Sequence, residues 1–364
     1  MKTFVTLFFL FFASNVFSQN NSDLESLMFK FIENRELRKL DSLLQFNVNI
    51  NGYNSNQETP LMIACKGYNI NLQIIHLLIN KGADILYVNK ETESSAISYC
   101  IDYINPEVTG LLLSKIPYEQ KVDFFEDISY PFYCTFSGDY KSLKLILPFY
   151  QKRITEKYID LSLLESAIKL ECSVNELFSV PYMTEGKQRL GANASILILE
   201  MLIKNGANVN EENHYGIPIV FQSVCSPRGL RKLVEHGANV NAADNSHDTS
   251  YSILQAFIDK ISTPKVFIDN EAIFLNTKKQ IHSSLELIDM MVKKGAKLQN
   301  GYDNPYQYLL MKAVTNNNLN LLKILLEKGY DINFFDLEGK TLLMHASENN
   351  YTKIIDLLIN NGAR

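Results

Sequence analysis

The chain has 364 residues, 46% hydrophobic and 21% charged, with a formal net charge of −5 from 35 basic and 40 acidic side chains. This composition excludes wholesale disorder and fibrous structure, and an acidic balance without a Lys/Arg run argues against a phosphate-binding nucleic-acid face. The length exceeds what one compact core usually supports, so two domains or an elongated stack is expected.

In chain order the first feature is a leader. Lys2 supplies a positive start, and Phe4 to Ala13 is almost wholly apolar. Ten residues make a helix of about 15 Å, half the thickness of a bilayer core, so the segment is too short to span. Val16 and Ser18 are small residues at −3 and −1 of a cut before Gln19. Residues 1–18 therefore read as a cleaved secretory signal, leaving 19–364 as the folded part. The leader resembles a bacterial export signal, which implies a periplasmic or extracellular protein. No second sorting domain follows the last repeat, which favours the periplasm. No other stretch is long and apolar enough to cross a membrane, so no insertion is expected after cleavage.

The remainder repeats. Gly82, Gly206, Gly237, Gly295, Gly329 and Gly362 align, with spacings of 31 (Gly206 to Gly237), 34 (Gly295 to Gly329) and 33 (Gly329 to Gly362) residues. Aliphatic residues or Met fill the positions seven, four and three before each glycine, as in Ile75, Leu78 and Ile79 or Leu322, Leu325 and Leu326. That stripe is one face of an α-helix, and a glycine can take the left-handed conformation that ends it. Turn-forming Asn, Asp and Gly follow, then Thr59-Pro60-Leu61, Thr341-Leu342-Leu343 and a weaker Ile217-Pro218-Ile219. Thr caps a helix and Pro suits its first position, so a second helix opens there.

Two helices and an extended finger at a period near 33 residues resemble the ankyrin-repeat family over nearly all of 22–364. The resemblance implies an all-α solenoid of eight or nine stacked helix pairs with short β-turn fingers. It also implies a non-enzymatic module that binds a protein partner through the concave finger and inner-helix surface. Asp23–Leu44 reads as a terminal cap, and residues 90–160 as degenerate repeats without the glycine. Insertions are expected near 172–193 and 262–280. Lys353, Asp356 and Asn360 give the last helix a polar face.

The residues carry no catalytic constellation. No two of the six histidines lie three or four apart, and neither a Cys-x-x-Cys nor a phosphate-cradling glycine loop occurs, so no metal or cofactor is expected. His247 with Asp244 and Asp248 reads as a solvated finger tip before a cation site. Five cysteines are too few for a disulfide scaffold. Cys65, Cys100 and Cys134 fall in successive first helices and read as buried thiols. Three Asn-x-Ser/Thr triplets, at Asn20, Asn193 and Asn350, read as accidental in a bacterial protein. The aromatic run from Phe124 to Tyr150 reads as the packing of a degenerate repeat, with binding as the alternative.

Candidate contact residues form a row of finger tips: Tyr53, Asn54 and Asn56; Tyr87 and Asn89; Asn213, His214 and Tyr215; Asp244 and His247; Tyr302 and Asp303; Phe335, Asp336 and Glu338. Aromatic, amide and acidic groups together suit a protein surface, and the acidic balance favours a basic patch on it. The protein is expected to be monomeric, without nucleic acid. The alternatives are an inhibitor or immunity-type protein capping one enzyme or toxin, a passive envelope component, and an enzyme with a site in the insertions. Those insertions carry Glu176, Glu185, Lys187, Arg189, Asp269 and Glu271.

Overall fold

The structure, a computed structural model, describes residues 21–125, 129–150, 157–158, 161–177, 193–244, 251–263 and 271–364. The expected leader lies outside them. The chain divides into two compact units, 1–153 and 154–364.

The pair formed by α3 (Pro60–Cys65) and α4 (Leu72–Asn80) shows how one repeat is made. Thr59 stands in extended backbone and its hydroxyl accepts from the Met62 amide at 3.3 Å, with Pro60 at the first helical position. Leu61 and Met62 turn inward. After the turn, the Asn71 side chain accepts from the Gln73 amide at 3.0 Å and starts α4. Ile74, Ile75 and Leu78 form its buried stripe. Each such aliphatic side chain contributes about 1.5–3 kcal/mol when fully buried. Gly82, at φ +91°, then closes the helix, and the Ala83 amide returns to the Leu78 carbonyl at 3.0 Å. All six aligned glycines have positive φ.

The same unit begins with α1 (Asn21–Glu33) and α2 (Leu37–Leu43). It continues with α5 (Ala96–Asp102), α6 (Pro106–Lys115), a lone α7 (Tyr118–Phe124), α8 (Ser129–Ser137) and α9 (Tyr140–Tyr150). The second unit holds α10 (Leu163–Leu177), α11 (Ala194–Lys204), α12 (Ile219–Gln222) and α13 (Pro227–Glu235). After these come α14 (Ile253–Ser262), α15 (Glu271–Lys293), α16 (Pro305–Thr315), α17 (Leu319–Glu327), α18 (Leu342–Glu348) and α19 (Thr352–Asn360). Nine helix pairs are thus present among the described residues. Two fingers carry minimal antiparallel pairs, β1 (Lys157–Tyr158) with β2 (Leu161–Ser162) and β3 (Ala243–Asp244) with β4 (Tyr251–Ser252).

Both expected insertions are partly helical. α10 runs on through Cys172 to Leu177, because no breaker occurs before Pro181. α15 begins at Glu271, as 271–280 contains neither Gly nor Pro. Glu185, Lys187, Arg189 and Asp269 lie outside the described residues, while Glu176 and Glu271 fall within these helices. Residues 90–160 keep their helices without the glycine. Phe125, Tyr130, Phe132 and Tyr150 are buried there, while Phe124, Tyr133, Tyr140 and Phe149 are half-buried and Phe136 is exposed, so the run is chiefly packed against its repeat.

Neighbouring fingers are tied by asparagine rungs. Asn51 Nδ2 donates to the Gly82 carbonyl (3.2 Å) and its Oδ1 accepts from the Asp84 amide (2.8 Å). Asn210 does the same with Gly237 and Asn239, at 3.2 and 2.7 Å. Asn333 repeats it with Gly362 and Arg364, at 3.1 and 2.9 Å.

Candidate functional site

The fingers are set by Asx turns. Asn54 Oδ1 accepts from the amides of Asn56 and Glu58, both at 2.9 Å. Asn213 Oδ1 accepts from Tyr215 (2.9 Å) and Ile217 (3.0 Å), and Asp336 Oδ1 from Glu338 (2.9 Å) and Lys340 (2.8 Å). Asn89 Oδ1 accepts from Glu91 at 2.9 Å, and its Nδ2 donates to the Asn56 carbonyl at 3.0 Å. A short amide or carboxylate that bonds its own backbone two residues on fixes the turn. Asn54, Asn89, Asn213 and Asp336 therefore shape the fingers from within, and Asn89 and Asn213 are buried.

Their neighbours point outward. Tyr215, Phe335 and Tyr53 are 74%, 68% and 50% exposed. Tyr53 packs on Tyr87 of the next finger (centroids 5.0 Å), whose hydroxyl donates to the Gln57 carbonyl at 3.2 Å. His214 lies on Tyr215, and Tyr302 packs against Tyr308 at 5.3 Å. Asn56, Asp303 and Glu338 are exposed. Asp244 lies in β3, and His247 and Asp248 are outside the described residues. Sequence reasoning missed Leu337 (65% exposed) and Met344 (48%), which flank these tips; a single Leu or Met in a repeat carries no sequence mark of exposure.

At the base of the first unit's fingers, a cleft of about 380 Å³ has an apolar floor of Ile63, Ile70 and Ile74 and a rim that includes Arg35, Asn56 and Lys66. Beneath the rim lies Glu58, whose side chain is 5% exposed. It accepts from Asn54 Nδ2 (2.9 Å), Lys66 Nζ (2.7 Å) and the Tyr99 hydroxyl (2.5 Å). Burial pushes this carboxyl up. The three hydrogen bonds and the Lys66 charge outweigh that and bring it down to about 2, so it is ionised at neutral pH. In the second unit Asp259 has similar partners, Lys312 Nζ at 3.0 Å and the Tyr308 hydroxyl at 2.9 Å. His345, in the first helix of its repeat, lies 2.6 Å from Asp336 Oδ2 and braces a finger.

The second unit also holds an ion pair whose carboxylate is buried. Glu171 is fully buried, and Arg228 reaches its Oε1 through Nε at 3.1 Å and Nη2 at 3.0 Å. Ser226 and Ser195 donate to the same carboxylate. Next to it Cys172 and Cys225 form a disulfide, with Cα atoms 5.5 Å apart, joining neighbouring repeats. This bond went unread in the sequence, where 53 residues separate the two cysteines. Cys65, Cys100 and Cys134 are buried free thiols. Contact with Cys65 and burial push the Cys100 thiol up, as burial does for Cys134, so both stay protonated.

Among the described residues no group of His, Cys, Asp or Glu could hold a metal ion, and no helix is long and apolar enough to cross a membrane. The arrangement offers contact chemistry: turn-locked fingers, outward aromatics and carboxylates already held by hydrogen bonds.

The family described as Ankyrin repeats (3 copies) matches residues 5–126 and 279–364, more than half of the chain. The protein belongs to the ankyrin-repeat family, whose members serve as protein-interaction modules. A putative ankyrin repeat protein of Fowlpox virus, FPV244, is 28% identical over 319 residues, which is 84% of this chain and 39% of that protein. A second from the same virus, FPV034, is 33% identical over 87 residues, 23% of this chain and 21% of that protein. The chain thus spans about two fifths and one fifth of these relatives' lengths. Similar solved structures include a chain of Bd0816 predatory endopeptidase from Bdellovibrio bacteriovorus in complex with immunity protein Bd3460. It is 16% identical, with TM-score 0.42, covering 57% of this chain and 96% of that one. Another is EF0377, an ankyrin repeat protein, 18% identical with TM-score 0.44, covering 59% and 98%.

Proposed function

We propose that the protein is an exported, non-enzymatic binding module that holds a protein partner on its concave finger and inner-helix surface. The observation that carries this reading is the set of fingers locked by Asx turns, with Tyr53, Tyr215 and Phe335 held at least half exposed. Exposed aromatic side chains on a rigid backbone lose little entropy on binding and are favoured as anchors. Export is supported by the Met1–Ser18 pattern and by the Cys172–Cys225 pairing, since disulfides persist in oxidising compartments. The periplasm is the compartment proposed, and a monomer the form.

The test is affinity capture from the native envelope fraction with the chain as bait, beside a bait in which Tyr53, Tyr215, Tyr302 and Phe335 are all changed to Ala. A protein held by the first bait and lost by the second is the expected result. Equal capture by both moves the interface off the fingers. No capture at low or moderate salt overturns the binding reading.

A further inference from the structure

Two fingers of the second unit carry an apolar surface ringed by carboxylates. They touch one another: a methyl group placed on Gly301 would meet Leu337 Cδ1 at 3.1 Å. Phe335 and Leu337, 68% and 65% exposed, flank the Asx turn at Asp336. Met344, 48% exposed, follows in the first turn of α18, where Thr341 caps its amide at 3.3 Å. Three large apolar side chains within ten residues are more than the scattered singles of an ordinary surface.

The charges on these elements are unbalanced. Glu338 and Glu348 have side chains 74% and 52% exposed, and Asp303 is exposed on the adjoining finger. The cation among them, Lys340, already pairs with Glu348 at 2.9 Å and Glu338 at 3.8 Å. Asp336 is held by the turn and by His345. Burial and the negative charges of Asp336 and Glu338 keep the Tyr302 phenol protonated, so this ring lies in a negative field. A cation beside Tyr302 or Phe335 would gain from both the carboxylates and the ring faces.

We propose that this surface, on fingers 302–304 and 335–340, docks a protein segment that presents a lysine or arginine next to an apolar side chain. The proposal rests on the partner-binding reading above and specifies the chemistry of the partner. Phe335 and Leu337 supply buried area, and Glu338 and Asp303 supply attraction and exclude acidic segments.

The test is fluorescence anisotropy with the full chain and two labelled twelve-residue peptides, one alternating Arg and Leu, the other Glu and Leu. The expected result is at least tenfold tighter binding of the Arg–Leu peptide, weakening as salt rises. E338Q with D303N should cost fivefold or more and flatten the salt dependence, and L337A with F335A should abolish binding. A control, E119Q with D123N on exposed α7, makes the same change of net charge and should leave the affinity unchanged. Equal binding of both peptides, or equal loss with the control, overturns the proposal. So does light scattering that shows the chain self-associating through Phe335 and Leu337. If envelope capture succeeds while the Arg–Leu peptide fails, binding stands and the basic-segment assignment falls.

Discussion

Asn241 reaches the Gly295 carbonyl with its Nδ2 at 2.9 Å although 54 residues separate the two, and its Oδ1 accepts from the Lys297 amide at 3.1 Å. Elsewhere the same rung spans 27 to 31 residues. The extra segment before α15 therefore leaves the finger register unchanged, because each rung reads only backbone groups of the next finger.

This gives the first prediction. Asn241→Ala removes both bonds and should destabilise the protein by about 1–3 kcal/mol in urea denaturation. Asn241→Asp keeps the acceptor, loses the donor and sets a carboxylate against the Gly295 carbonyl. It should be no more stable than the alanine variant.

Acid should loosen the first unit. Glu58 titrates at about 2 folded, against 4.5 as its ordinary value. A depressed carboxyl stabilises fully above the unfolded value and loses that contribution as pH falls from about 4.5 towards 2. A shift of this size corresponds to about 3 kcal/mol. Melting followed between pH 6 and 2 should show the decline. Glu58→Gln should be less stable at pH 7 and should show a shallower slope within that window, the remainder coming from other depressed carboxylates such as Asp336 and Glu200.

The Arg228–Glu171 pair of the second unit is testable by truncation. Arg228→Met removes the guanidinium from Glu171, to which Ser226 and Ser195 still donate. The Arg228 side chain is 44% exposed, so the loss should fall below the roughly 3–5 kcal/mol of a fully buried pair. Replacing both members, Glu171→Leu with Arg228→Met, should recover much of that loss, as read by chemical denaturation.

Thiol counting separates the cysteines. The native chain should take no iodoacetamide label, since Cys65, Cys100 and Cys134 are buried. Unfolded without reductant it should take three, and after reduction five. Cys225→Ser should lower stability by about 2–4 kcal/mol. Five labels without reductant would show that Cys172 and Cys225 do not pair.

What the sequence made legible follows from how locally each feature is determined. Helix ends at Gly237 or Gly329 could be read because the left-handed backbone selects glycine at that one position. Thr59 and Thr341 as caps were legible for the same reason, each bonding an amide three residues on. Asn54, Asn89, Asn213 and Asp336 were read as contact residues on the finger tips, but their side chains face their own backbone, which only the structure distinguishes from facing outward. Glu58 was missed because a glutamate is presumed solvated, and its partner Tyr99 is 41 residues away. The Cys172–Cys225 pair was missed because pairing depends on how repeats stack. The rung asparagines did carry a signal, since Asn210, Asn241 and Asn333 each stand four residues after an aligned glycine.

In the second unit that rung is missing between the repeats that end at Gly295 and Gly329. Four residues after Gly295 stands Gln299, exposed, and among the described residues no asparagine bridges to Gly329. The fingers on either side of this joint are those bearing Tyr302 and Phe335. Their coupling rests on helix packing, on the contact of Leu337 with Gly301, on the stacking of Tyr306 on Tyr330 at 4.6 Å and on the Lys278–Glu327 pair. Amide exchange at this joint should run faster than at the joints bridged by Asn210, Asn241 and Asn333. A ligand spanning both fingers would take the place of the missing rung, so occupancy would register as slowed exchange in the last two helix pairs.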